Sequence, residues 1–189
     1  MHYGLPTSHQ LDQKAIDLMP SGKWHNYLFQ GSKDLRFKDK SQAWGFEAAG
    51  ISNGSSYADL DNDGDLDLIT NNLNEAAGIY QNNARQLLKN NYLKIKFKGS
   101  DKNTFGVGAK VILKTKDGQQ LQQLVPTRGF MSSVEPSLLF GIGKLSQIDS
   151  VLVIWENEKM QILTKPSINT TLTVDQKNAS IEESKVTTL

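Results

Sequence analysis

From Leu93 to Lys98 apolar and basic residues alternate without interruption: Leu93, Ile95 and Phe97 share one face of an extended chain, and Lys94, Lys96 and Lys98 share the other. Successive side chains of a strand point to opposite faces, so this period of two predicts a half-buried strand with a solvated lysine face. Further strand-sized pieces follow at 108–116, 119–125, 138–140, 148–155, 161–164 and 170–174, with Gly, Pro and Asn between them. Lys116-Asp117-Gly118-Gln119 holds the Asp-Gly pair that a two-residue hairpin turn favours. A run of short strands with no helix between them predicts an antiparallel β-sandwich or barrel over 91–175, followed by a polar, frayed tail at 176–189.

The N-terminal half reads differently. Leu11, Ala15, Leu18 and Met19 recur at helical spacing between Ser8 and Pro20-Ser21-Gly22, which predicts one short helix. Strand-like pieces at 26–29 and 35–37 flank the turn-rich Gly31-Ser32-Lys33-Asp34. Ser56-Tyr57-Ala58, Leu66–Thr70 and Gly78-Ile79-Tyr80 then alternate with polar segments as strand, loop, strand, loop, strand. The polar stretch 82–91 marks a module boundary, which divides the chain into 1–90, 91–175 and the tail.

Charge supports that division. Residues 1–90 hold 8 Lys and Arg against 11 Asp and Glu, whereas residues 91–189 hold 13 against 9, and the whole chain sums to +1. Basic residues dispersed over alternating positions make no footprint for nucleic acid, which needs them clustered on one face. The longest apolar run, Val151–Trp155, is strand-sized, so no membrane-spanning helix is predicted. With no cysteine in the chain, only oxygen or histidine ligands remain for a metal.

The densest chemistry lies in Asp59-Leu60-Asp61-Asn62-Asp63-Gly64-Asp65-Leu66-Asp67. Calcium takes about six to eight oxygen ligands, so a loop that serves it must gather several carboxylates around one point. Aspartates stand at positions 1, 3, 5, 7 and 9, and Gly64 at position 6 permits a sharp bend. This pattern assigns side-chain ligation to Asp59, Asp61, Asp63 and Asp67, and backbone ligation to Asp65. An EF-hand is excluded, because its twelfth position needs Glu where this chain has Thr70, and its flanks must be helices. The bland alternative is a solvated acidic turn, which the mutual repulsion of five carboxylates disfavours.

Trp44-Gly45-Phe46, Ser52–Asp59 continuing to Asn71-Asn72, and Ile79-Tyr80-Gln81-Asn82-Asn83 together resemble an FG-GAP or VCBS repeat. That resemblance implies a β-propeller blade with a calcium loop between its strands. Tyr92-Leu93, Gly106–Val111, Arg128-Gly129-Phe130, Phe140–Gly143 and Ile148–Val151 leading to Trp155 resemble an ASPIC/UnbV domain. Glu156-Asn157-Glu158 stands where that family has a Pro and Gly turn. The combined expectation is a mostly β protein: partial propeller blades with a short N-terminal helix, then an antiparallel β-sandwich or barrel. Ninety residues cannot close a ring of about four to eight four-stranded blades, so a C-terminal part of a longer protein is expected. The start lacks a secretory signal, yet the families resembled are exported, which implies an extracellular or cell-surface location, in a bacterium the outer membrane or periplasm.

Other features carry less. His2, His9 and His25 have no triad partners, and the two Gly-x-Gly pairs lack a third glycine and a following helix. Trp24, Trp44 and Trp155 read as core residues, with stacking on sugar rings the alternative if they are exposed in a row, and Arg128 as a ligand-facing charge or a structural ion pair. The function that follows is a non-catalytic, calcium-binding extracellular module for adhesion or scaffolding, with a glycan or extracellular protein as partner. Open strand edges add self-association as a further expectation. The competing reading is an accessory part of a polysaccharide-acting enzyme, with Glu135 or Glu156 taking part.

Overall fold

A computed structural model describes residues 14–18, 22, 24–32, 34–100 and 102–180. They fall into two compact units, divided between Ser52 and Asn53. The aspartate loop therefore belongs to the same unit as the strands that follow it, and its partners come both from 81–85 and from beyond residue 90.

In the first unit residues 14–18 are helical; the rest of the helix predicted over 9–19 lies outside the described residues. Strands β1 (Trp24–His25) and β4 (Ala49–Gly50) pair antiparallel, as do β2 (Phe29–Gly31) and β3 (Phe37–Asp39). A 3-10 turn at Gln42–Trp44 ends on Gly45 in the left-handed region. Ser41 is buried, accepts the N–H of Leu28 on its Oγ at 2.8 Å and donates to Asp39. Among the described residues of this unit Phe46 is the buried apolar one, while Trp24, Tyr27, Phe29, Phe37 and Trp44 are exposed. Trp24 and Trp44 thus depart from the core role read for them: each sits on or beside a piece too short to bury an indole.

The second unit opens with a three-stranded sheet of order β5 (Ser52–Ala58), β6 (Asp67–Asn72), β7 (Gly78–Tyr80). This is the strand, loop, strand, loop, strand run read from the sequence. A five-residue helix, α1 (Ala84–Leu88), leads to β8 (Asn91–Lys98). Then come β9 (Lys110–Thr115), β10 (Gly118–Gln123), the small hairpin β11 (Thr127–Arg128) and β12 (Ser132–Ser133), β13 (Ser137–Gly143), β14 (Ser150–Ile154), β15 (Met160–Thr164) and β16 (Thr170–Asp175). Apart from the β11-β12 hairpin, which pairs only with itself, these strands and β8 form one sheet of order β10-β9-β14-β15 and another of order β13-β8-β16.

One hydrophobic core draws on both sheets: Leu93, Ile95 and Phe97 from β8, Val111 and Leu113 from β9, Phe140 from β13, Val151 and Val153 from β14, and Val174 from β16. Burying each such side chain is worth about 1.5–3 kcal/mol, so these alternating rows fix which face of each sheet turns inward. Trp155 completes the layer edge-on to Phe97 with ring centroids 5.8 Å apart. The architecture is an open sandwich, not a closed barrel.

Four details differ from the sequence expectation. The tight hairpin turn uses Lys116-Asp117, and Gly118 pairs with Thr115 as the first residue of β10. Strand β16 runs parallel to β8. Its entry is set by Asn169, whose N–H reaches Tyr92 O at 2.7 Å and whose Oδ1 accepts the N–H of Tyr92. The tail is ordered through residue 180: Gln176 and Ala179 are buried, and Ser180 N–H donates to Met160 O. Polarity misled there because a buried glutamine reads as surface. Lys94, placed on the solvated face by its period, is buried, whereas Lys96 and Lys98 are exposed. No helix among the described residues is long and apolar enough to cross a membrane.

The glutamines of β10 close one side of the sandwich. Gln120 and Gln122, two apart and hence on one face, donate through Nε2 to Gly141 O and Leu139 O of β13, each at 2.8 Å. Side-chain amides thereby occupy carbonyls that an open strand edge would present to another chain.

Candidate metal centre

The loop between β5 and β6 turns tightly because two residues adopt positive φ, Asn62 at +59° and Gly64 at +93°. Gly64 is required twice over: a β-carbon there would also lie 2.2 Å from Cε1 of Tyr92. Three internal hydrogen bonds shape the turn. Asp59 Oδ1 accepts from Gly64 N–H at 3.4 Å, Asp61 Oδ1 from Asp63 N–H at 3.3 Å, and Asp63 Oδ1 from Asp65 N–H at 2.8 Å. The result brings one carboxylate oxygen each of Asp59, Asp61 and Asp63 within 4.8 Å of one another.

The carboxylates of the other two aspartates accept backbone N–H groups. Asp67 is buried at the start of β6; its Oδ2 accepts the N–H of Leu60 at 2.9 Å and its Oδ1 that of Asn82 at 2.8 Å. The first bond ties the two ends of the loop together and the second fastens it to the segment after β7, and each oxygen keeps a second lone pair. Asp65 accepts the N–H of Arg85, in the first turn of α1. Burial raises its pKa, an effect that this hydrogen bond partly offsets. The trio is framed by Gln81, whose Nε2 donates to Asp61 Oδ2 at 2.9 Å, and by Arg85, whose Nη1 donates to Asp63 O. The Arg85 guanidinium lies over the ring of Tyr92 at 4.9 Å.

Two observations bear on occupancy. Asp63 Oδ2 is buried and has no hydrogen-bond partner. A buried carboxylate oxygen left unpaired is costly, and hard oxygens at this spacing suit a hard divalent cation. Asp59, with a side chain only 5% exposed, lies 3.8 Å from the ammonium of Lys94, itself 7% exposed. Lys94 in turn lies 2.9 Å from Glu135 Oε2, and Lys96 lies 2.9 Å from Glu135 Oε1.

Partial burial pushes the Glu135 carboxyl up, but the hydrogen bonds and charges of Lys94 and Lys96 outweigh it and hold the group at about 2. A carboxylate held ionised that firmly is no proton donor near neutrality. Glu156 accepts a hydrogen bond from Gln176 at 3.1 Å. Arg128 makes no ion pair among the described residues; its Nε donates to Tyr57 Oη at 2.9 Å and its Nη1 to Val125 O and Thr127 O. It ties the β11–β12 hairpin to β5.

The residues that sequence reasoning missed are Lys94, Gln81 and Arg85. The first follows the surface period of its strand, so no local signal marks it. Gln81 and Asn82 stand in the segment that carried the FG-GAP resemblance.

Residues 99–181 match the family model described as ASPIC and UnbV, a span that takes in β9 to β16 and the ordered start of the tail. The aspartate loop and β8 lie outside that span. The chain is also similar to two vertebrate relatives. Cartilage acidic protein 1 of Xenopus tropicalis is 32% identical over 118 residues, covering 60% of this chain and 18% of the relative. Cartilage acidic protein 1 of Homo sapiens is 33% identical over 118 residues, covering 60% and 17%. The chain thus spans less than a fifth of the length of these relatives.

Proposed function

We propose that the chain is a calcium-binding extracellular module that binds or scaffolds a partner and does no chemistry of its own. The observation that carries this is the convergence of Asp59, Asp61 and Asp63 within 4.8 Å, with Asp63 Oδ2 buried and otherwise unpaired. Asp59, Asp61 and Asp63 would hold the ion through side chains, with Asp67 and the Asp65 backbone completing the set. The cation supplies charge neutralisation and fixes the β5–β6 connection; the chain's own residues shape the loop and orient its oxygens.

The similarity to cartilage acidic protein 1 supports an extracellular or cell-surface location, in a bacterium the outer membrane or periplasm. The three-stranded β5-β6-β7 sheet with its acidic loop supports the FG-GAP or VCBS resemblance, and the exposed aromatics of β2 and β3 suit a blade within a larger β assembly. Glycans and extracellular proteins are the partner classes. The competing enzymatic role finds less support, since Glu135 is fixed between two lysines and Glu156 is held by Gln176.

The test is thermal unfolding of the 189-residue chain with calcium and with chelator, beside an array of glycans and matrix proteins probed in both conditions. Calcium raises the melting temperature of the wild type and not that of Asp59→Ala/Asp61→Ala. Equal calcium response in both proteins would refute the assignment, and turnover of a glycan would favour the enzymatic reading.

A further inference from the structure

We infer that Lys94 is the resident counter-charge of the aspartate trio, tuning both its affinity for a cation and its preference among cation charges. This rests on the calcium reading above and extends it to a residue outside the loop.

The inference comes from charge accounting around a buried ammonium. Lys94 sits in β8 with its side chain 7% exposed, between Glu135 Oε2 at 2.9 Å and Asp59 Oδ2 at 3.8 Å. Glu135 is also the partner of Lys96, at 2.9 Å on its other oxygen. One carboxylate thus serves two ammonium groups, and the three side chains together carry a surplus of one positive charge. That surplus faces Asp59, which is as deeply buried as Lys94 itself. Asp59, Asp61 and Asp63 bring three negative charges to the trio, and the surplus offsets one of them. Asp65 accepts the backbone N–H of Arg85.

Two consequences follow. Between metal-free states, Lys94 holds Asp59 near its ligating position against the repulsion of its neighbours. Toward a bound ion it is repulsive, and Coulomb repulsion between a cation and a nearby ammonium scales with the cation's charge. Removing the ammonium while keeping an apolar stem of similar length should therefore strengthen binding, and more for a trivalent ion than for a divalent one. A lysine that only packs would show neither effect.

The experiment is calorimetric titration of the full chain with calcium, and with terbium as the trivalent probe, for wild type, Lys94→Met, Glu135→Gln and the double variant. Lys94→Met should bind calcium about tenfold more tightly and shift the terbium-to-calcium affinity ratio upward by a further several-fold. Glu135→Gln, which leaves the ammonium directed at Asp59 alone, should weaken calcium binding about threefold or more, and much less so in the Lys94→Met background. If the wild type binds no calcium, the calcium reading itself falls and this inference with it. If the wild type binds but Lys94→Met binds no tighter, or shows an unchanged ion ratio, only the role of Lys94 is overturned. Should Lys94→Met fail to fold, Glu135→Gln decides alone, and unchanged calcium affinity in that variant would overturn the inference.

Discussion

Tyr92 lies so close against Gly64 that any β-carbon at residue 64 would overlap its ring, at 2.2 Å from Cε1. The first residues of β8 and the sixth residue of the aspartate loop are thus built around one another. Gly64→Ala should lower stability by about 2 kcal/mol or more, combining left-handed strain of about 1–2 kcal/mol with the overlap. Urea denaturation of the single variant and of Gly64→Ala/Tyr92→Ala separates the two terms: the double variant recovers the overlap and keeps the strain. A Gly64→Ala protein as stable as wild type would show that the loop does not require this conformation.

Asp67 offers a second check on the loop's frame. Both of its oxygens accept backbone N–H groups from within a buried setting. Asp67→Asn keeps the shape but turns an N–H donor toward one of those donors, and leaving a buried N–H unpaired costs about 1–3 kcal/mol. Urea denaturation in chelator should show that loss, which separates the clamp from any part Asp67 takes in holding an ion.

Glu135 predicts a pH dependence with a definite sign. Its folded pKa of about 2 lies below the ordinary 4.5, so ionised Glu135 favours the folded state. That contribution is fully present above about pH 4.5 and is lost as pH falls from there toward about 2, because the unfolded carboxylate takes its proton first. The urea midpoint of wild type should exceed that of Glu135→Gln near pH 6, and the gap should close by pH 2.

The seam between β10 and β13 predicts a link between two amides and solubility. Gln120→Ala/Gln122→Ala removes the bonds to Gly141 O and Leu139 O. Each such bond contributes about 0.5–1.5 kcal/mol, and its loss bares the β13 edge. Light scattering across concentration should show the double variant self-associating before the wild type does.

Much of this arrangement was legible in the chain. The alternation of Leu93, Ile95 and Phe97, the apolar core of β14 and the strand runs on either side of the loop all follow from a period of two, which local sequence records directly. The aspartate spacing named Asp59, Asp61 and Asp63, and Gly64 named the bend. What stayed hidden depends on distant partners. Lys94 has the same local pattern as Lys96 but is buried beside Asp59 and Glu135. Strand β16 pairs parallel with β8 through contacts between Asn169 and Tyr92, a relation that no period reveals. Asp67 carries the same letter as its loop neighbours, yet its oxygens meet backbone N–H groups from Leu60 and Asn82.

The most direct test of calcium in the loop is a crystal structure of the chain grown at neutral pH with millimolar calcium. The account predicts one peak within about 2.3–2.6 Å of oxygens from Asp59, Asp61 and Asp63, with Asp63 Oδ2 among them. Well-ordered carboxylates around no such peak, with Asp63 Oδ2 still unpaired, would contradict it.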